Sequence, residues 1–85
     1  MAKPIRYTLH AETVLRQREL AKAWVERTTR EPEWRSADPG EALAERRFRS
    51  VPERGDRVMR VVCVETDVEI RIISVFLDRR ARRPE

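Results

Sequence analysis

The sequence predicts an α+β fold in which two N-terminal helices pack on a twisted antiparallel sheet of three to four strands. Two observations lead to this prediction. Apolar residues recur at helical spacing in the first half of the chain, and strand-forming residues dominate the second half. Eighty-five residues suffice for one hydrophobic core. We therefore expect residues 1–85 to form a single domain, with a frayed tail at about 79–85.

The chain begins with a short predicted strand followed by the first predicted helix. Residues 5–9 alternate in polarity and are rich in strand formers, which favours a short edge strand. Residues 11–19 contain good helix formers with apolar side chains at i, i+3 and i+4 spacing. Thr8 is positioned to be the N-cap of this helix, because its hydroxyl can accept a hydrogen bond from the first helical turn.

A second helix and a connection complete the first half of the chain. The helix is predicted over residues 22–30 and ends before Pro32, because a proline disfavours helical geometry in the residue that precedes it. Residues 34–44 contain the turn sequence Asp38-Pro39-Gly40. This segment is expected to be an exposed connection to the sheet.

Three strands are predicted in the second half, at residues 45–51, 57–65 and 68–77, and the last two are expected to form a hairpin. With a two-residue turn at Thr66-Asp67, Glu65 faces Val68, and the residue numbers of every facing pair in the two strands sum to 133. A loop longer by one residue would instead place Arg60 beside Ser74, and both registers remain open at this point. The first register gives one apolar face to cover with helices, which holds Met59, Val61, Cys63, Ile70, Ile72, Ser74 and Phe76.

The charge of the chain is high, mixed and rich in arginine. It carries 19 basic and 15 acidic residues, and because Lys3 and Lys22 are its only lysines, 17 of the basic residues are arginines. The planar guanidinium suits bidentate contacts with phosphate or carboxylate, although codon usage in a GC-rich genome produces the same bias. Residues 45–85 hold 11 basic and 8 acidic side chains, against 8 and 7 in residues 1–44. The sheet half therefore favours an anionic partner.

The cysteine count and the hydropathy pattern allow a prediction of the cofactors and of the cellular location. Cys63 is the single cysteine, so an internal disulfide is impossible, and no cluster of Cys and His offers a metal site. We expect no cofactor. No apolar stretch is long enough to span a bilayer, and the N-terminus lacks the apolar core of a secretory signal. A cytoplasmic location without a membrane partner is the expectation.

Several runs of the chain resemble a bacterial family of small domains of unknown function. The runs are Tyr7-Thr8-Leu9-His10-Ala11-Glu12, Glu31-Pro32, Arg46-Arg47-Phe48-Arg49, Arg57-Val58-Met59-Arg60-Val61-Val62 and Ile70-Arg71-Ile72-Ile73-Ser74-Val75-Phe76-Leu77-Asp78-Arg79. That family is in turn distantly similar to the RelE/ParE-like toxins and to the wider barnase/EndoU/colicin/RelE ribonuclease fold. The resemblance implies helices packed on a four-stranded antiparallel sheet. It also implies that His10, Arg60 and the hydroxyl of Ser74, where the family usually has threonine, fall at positions that the family uses.

The expected function is that of a toxin-like, metal-independent endoribonuclease of the RelE/ParE type. RNA cleavage needs a base for the ribose 2′-hydroxyl, an acid for the leaving oxygen and a cation against the phosphate charge. His10 is the candidate base, Arg60 the candidate cation, and Ser74 a candidate hydrogen-bond donor. A second strong acid or base is missing from this set. The arginines expected to contact nucleic acid are Arg46, Arg47, Arg49, Arg71 and Arg79.

The same residues also admit other interpretations. His10 would satisfy backbone groups at a strand–helix junction, and Arg60 would form a cross-strand ion pair with Glu69. Trp34 belongs either to the core or to a platform for base stacking. The alternative function is a non-catalytic module that binds nucleic acid or protein, or a structural homodimer. The expected partners are therefore RNA, a cognate antitoxin-like protein, or a second copy of the chain.

Overall fold

The computed structural model describes residues 2–84, and they form two helices, five strands and a short 3-10 turn. Met1 and Glu85, the ends of the predicted domain and of its tail, lie outside the described residues. No helix within residues 2–84 combines the length and the apolar character needed to cross a membrane. The elements are β1 (Ile5–Tyr7), α1 (Leu9–Arg18), α2 (Lys22–Arg30), β2 (Trp34–Ala37), β3 (Glu45–Val51), the 3-10 turn (Pro52–Arg54), β4 (Arg57–Glu65) and β5 (Ile70–Leu77).

The five strands form one mixed sheet in the order β1-β5-β4-β3-β2. The prediction of an α+β fold is confirmed, but the prediction of three to four antiparallel strands is wrong. β1 pairs in parallel with β5, and the long connection that a parallel pair requires is formed by the two helices and three strands that lie between them in the chain. β2 lies in the segment predicted to be an exposed connection. It pairs with β3, where the Trp34 ring stacks on Phe48 at 4.8 Å between ring centroids and 8° between planes.

Thr8 fixes the start of α1 and ties it to the sheet. Its hydroxyl accepts a hydrogen bond from the Ala11 amide at 3.1 Å, which confirms the predicted N-cap. The same hydroxyl donates to the carbonyl of Ile73 at 3.1 Å. Glu19 caps the C-terminal end of the helix, and its left-handed φ of 55° turns the chain toward α2.

Both helices cover the same face of the sheet, α1 against β5 and α2 against β3 and β4. The core between them is built from apolar side chains that recur at helical spacing in α1 and α2 and at every second position in β4. Cys63 lies in this core, where burial raises the pKa of its thiol to about 11. The buried members of this core are Ala11, Leu15, Leu20, Val25, Val51, Met59, Val61, Cys63, Ile70, Ile72 and Val75.

The hairpin of β4 and β5 has neither of the two predicted registers. The Thr66 amide donates to the carbonyl of Glu69 at 2.9 Å, so the tight turn centres on the two residues between them and facing numbers sum to 135. A β-bulge follows, with Cys63 facing Ile72 but Val62 facing Ser74. Compared with the predicted register in which facing residue numbers sum to 133, the observed pairing is shifted by two residues, so side chains up to Ile72 lie on their predicted faces. After the bulge, the side chains of β5 lie on the opposite faces from those predicted. The prediction that Ser74 and Phe76 share the apolar face is therefore wrong.

Candidate nucleic-acid interface

A groove of about 460 Å³ runs between α1, the 3-10 turn and the C-terminal end of β5, and we call it the arginine groove. Its floor is apolar, from Val14 and Leu20 on the helical side to Val75 and Leu77 on β5. Six polar or basic side chains line it: His10, Gln17, Arg18, Arg54, Arg57 and Arg79. No carboxylate lines the groove within residues 2–84.

The four arginines of this groove lie at or next to the ends of secondary-structure elements, and within residues 2–84 no carboxylate side chain neutralises their charge. Arg18 lies in the last turn of α1, Arg57 begins β4, and Arg79 follows β5. Arg54 donates to the carbonyl oxygens of Arg18 and Glu19, each at 3.5 Å, across the end of α1. In the described part of the chain, none of the four is ion-paired. The groove is therefore a concentrated positive surface over an apolar floor.

A bidentate ion pair fixes the turn that carries Arg54. Arg27 of α2 donates to both carboxylate oxygens of Glu53, at 2.8 and 3.2 Å. The hydrogen bond from Arg27 holds the pKa of Glu53 below its usual range. After this pair the chain reverses through Gly55 at φ 64° and Asp56 at φ 61°. Arg54 and Arg57, on either side of the reversal, therefore line the same groove.

The predicted catalytic residues fall on two different surfaces. His10, the second residue of α1, is exposed and lines the arginine groove. Arg60 and Ser74 line a shallow depression on the face of the sheet opposite the helices, which we call the open face. Arg60 pairs with Asp78 at 3.3 Å rather than with Glu69, and its guanidinium carbon lies 4.3 Å from the centroid of the Phe76 ring. The structure thus brings Arg60 and Ser74 together and places His10 elsewhere.

The arginines that the sequence nominated for nucleic-acid contact are mostly engaged by the protein itself. Arg46 donates to Asp38 at 2.9 Å, Arg49 to the carbonyl of Glu31 at 2.7 Å, and Arg71 to Glu69 at 3.4 Å. Of the nominated residues, only Arg79 lines the arginine groove. Sequence reasoning missed Arg18, Arg54 and Arg57. The signal for the last two was the glycine turn between them, which brings both ends of the loop close together.

Arg47 has a structural role in this fold. Only 3% of its surface is exposed, and it donates to the carbonyl of Thr29 at 2.8 Å and to Glu65 at 2.6 Å. Lys3 also donates to Glu65, at 2.8 Å. The hydrogen bonds from Arg47 and then Lys3 lower the pKa of Glu65 to about 2. This network joins α2, β3 and β4 and leaves Arg47 almost no surface on which a nucleic acid can lie.

Comparison with known proteins places the chain in a family. The family model described as "Domain of unknown function (DUF4258)" matches residues 7–77, which include both helices, the whole of β2 to β5 and His10. No curated protein and no solved structure matches the chain. The match covers most of the 85 residues. The chain therefore belongs to the DUF4258 family of domains.

Proposed function

We propose that this domain is a toxin-like endoribonuclease that holds single-stranded RNA in the arginine groove and uses His10 as its general base. One observation supports the proposal above the others. The only histidine of the chain lines a groove that also presents four arginines without ion-pair partners in the described residues and without a lining carboxylate. Such a site attracts phosphate and sets an acid–base group beside it.

The groove offers the groups that the cleavage chemistry requires, apart from a second acid. His10 accepts the proton of a ribose 2′-hydroxyl, and the 2′-oxygen attacks the adjacent phosphorus. The bond to the 5′-oxygen breaks, the leaving oxygen takes a proton from solvent, and a 2′,3′-cyclic phosphate remains. Arg54 and Arg57 stabilise the negative charge that accumulates on the phosphate oxygens. Because the attack uses the 2′-hydroxyl, the mechanism distinguishes RNA from DNA.

Cleavage of labelled single-stranded RNA by the purified chain tests this proposal, with DNA of the same sequence as the control substrate. We expect the wild type to cut RNA alone, leaving cyclic phosphate ends. His10→Gln should retain binding and lose cleavage. Leu9→Gln is a matched control in the same helical turn, because the Leu9 side chain is 83% exposed and does not line the groove. Wild-type activity in His10→Gln, or equal cutting of DNA, would refute the assignment of His10.

A second candidate function is RNA binding without catalysis. It is favoured by the fact that His10 is the one imidazole or carboxyl side chain that lines the groove within residues 2–84, so no partner acid is supplied there. This candidate predicts binding that weakens with salt and RNA that stays intact. Retained binding in wild type and His10→Gln alike, with no fragments from either, would establish this function instead.

A further inference from the structure

Phe76 is the one aromatic residue among the large apolar side chains that are markedly exposed in residues 2–84. Its exposed fraction is 38%. Phe76 lines both the arginine groove and the depression that holds Arg60 and Ser74. It therefore lies where the helix-covered side of the sheet meets the open face.

The exposure of this ring follows from the β-bulge between Ile72 and Ser74. Without the bulge, alternation along β5 would place Phe76 on the same side as Ile72, inside the core. Burying an aromatic ring is favourable, so a register that leaves it in solvent forgoes stability. The bulge instead directs Val75 into the core, where it is fully buried, and leaves Phe76 available to a ligand.

Arg60 holds the Phe76 ring in a defined orientation. Its guanidinium carbon lies 4.3 Å from the ring centroid, which is a cation–π contact, and Asp78 anchors the guanidinium at 3.3 Å. Arg60 is itself only partly exposed, with 21% of its side chain accessible. One face of the ring is therefore in contact with Arg60, while 38% of the residue remains exposed to solvent.

We propose that Phe76 is a base-stacking subsite, on which one unpaired base of single-stranded RNA lies while its backbone follows the arginine groove. The inference rests on the proposed function and adds to it the part of the substrate that the arginines do not recognise. Arg79, three residues further along the chain, lines the same groove and supplies a phosphate contact. A basic groove beside an aromatic platform is the combination that binds single strands without sequence preference.

Binding of 2′-O-methyl RNA oligonucleotides, which lack the attacking hydroxyl, tests the subsite without cleavage. Affinity is compared for a normal oligonucleotide and for an abasic one of equal length. We expect Phe76→Leu to weaken binding of the normal oligonucleotide roughly tenfold and to leave binding of the abasic one unchanged. Phe76→Trp should retain wild-type affinity, because it keeps an aromatic face. Leu43→Ala is the matched control, since Leu43 is an exposed apolar residue outside the groove.

The outcomes separate the subsite from the proposed function. If the wild type binds both oligonucleotides and Phe76→Leu binds both equally well, the subsite is refuted while the groove remains an RNA site. If the wild type binds neither, the proposed function fails and the subsite fails with it. Equal losses for the normal and abasic oligonucleotides in Phe76→Leu would indicate a distorted groove and would also refute stacking. Thermal unfolding of each variant verifies that the fold is intact.

Discussion

From the four arginines of the groove, we predict how steeply the proposed RNA binding depends on salt concentration. Each arginine that neutralises a phosphate releases a condensed counterion. For a single strand, the slope of log K against log salt is about −0.7 per contact, so Arg18, Arg54, Arg57 and Arg79 together give about −2.8. Between 50 and 200 mM salt, this slope corresponds to an affinity loss of about 50-fold. Replacing one groove arginine by glutamine should reduce the slope to about −2.1.

Fluorescence anisotropy of a labelled 2′-O-methyl RNA, titrated at four salt concentrations, measures this slope. Arg57→Gln is the test variant, because Arg57 is exposed and free of ion pairs within residues 2–84. Arg71→Gln is the matched control. It removes the same charge from an arginine on β5 that is 61% exposed, pairs with Glu69 and lies outside the groove. Equal slopes for Arg57→Gln and the wild type, or an equal reduction in Arg71→Gln, would refute the assignment of phosphate contacts to the groove.

Three further predictions concern the fold. The pKa of Glu65 is lowered from 4.5 to about 2, so its ion pairs stabilise the protein above pH 4.5 and lose that effect as the pH falls toward 2. Because 36% of the Glu65 side chain is exposed, solvent screening reduces this contribution to about 1–2 kcal/mol. Urea unfolding of Glu65→Gln should show that loss of stability at pH 7 and almost none at pH 2. A loss that does not change with pH would contradict the reasoning. Thr8→Ala should lower the free energy of unfolding by about 1–2 kcal/mol, and Thr8→Ser should lower it by much less, because serine keeps the hydroxyl that caps α1. Equal losses in the two variants would show that the hydroxyl does not stabilise the helix. Cys63 is fully buried with a raised pKa, so a thiol reagent at pH 8 should label it only as fast as the chain unfolds, and rapid labelling of the native protein would contradict its burial.

Local features of the fold were predictable because they depend on short stretches of chain. The Thr8 cap, the end of α2 before Pro32 and the strand at 45–51 each follow from a few neighbouring residues. The hairpin register was not predictable in this way. The turn moves by one residue because the Thr66 hydroxyl accepts hydrogen bonds from two following amides, each at 3.3 Å. A bulge of one residue at Ile73 leaves no mark on the hydrophobic pattern, since isoleucine suits either face of a sheet.

The candidate site was predictable only in part. His10 was identified because histidine is the residue type that most often serves as an acid or base near neutral pH. The arginines could not be sorted from sequence, because a clustered run of basic residues looks the same whether each one is paired or free. Ion pairing depends on contacts between distant segments, such as Arg47 with Glu65 and Arg46 with Asp38. Those partners occupy two of the three arginines of β3, and the third, Arg49, donates to the carbonyl of Glu31. The four groove arginines, which have no ion-pair partner in the described residues, lie at the ends of other elements.

The parallel pairing of β1 with β5 has a consequence for how the chain folds during synthesis. Of the five strands described in residues 2–84, β1 is made before the others, but its neighbour in the sheet is β5, the last of the five to leave the ribosome. β5 also forms much of the surface on which α1 packs. The apolar side of α1 must therefore remain uncovered until nearly the whole domain has been translated. Contacts so distant in sequence slow folding and prolong exposure to aggregation. The sheet and the cover of α1 can accordingly be completed only after residue 77 has emerged.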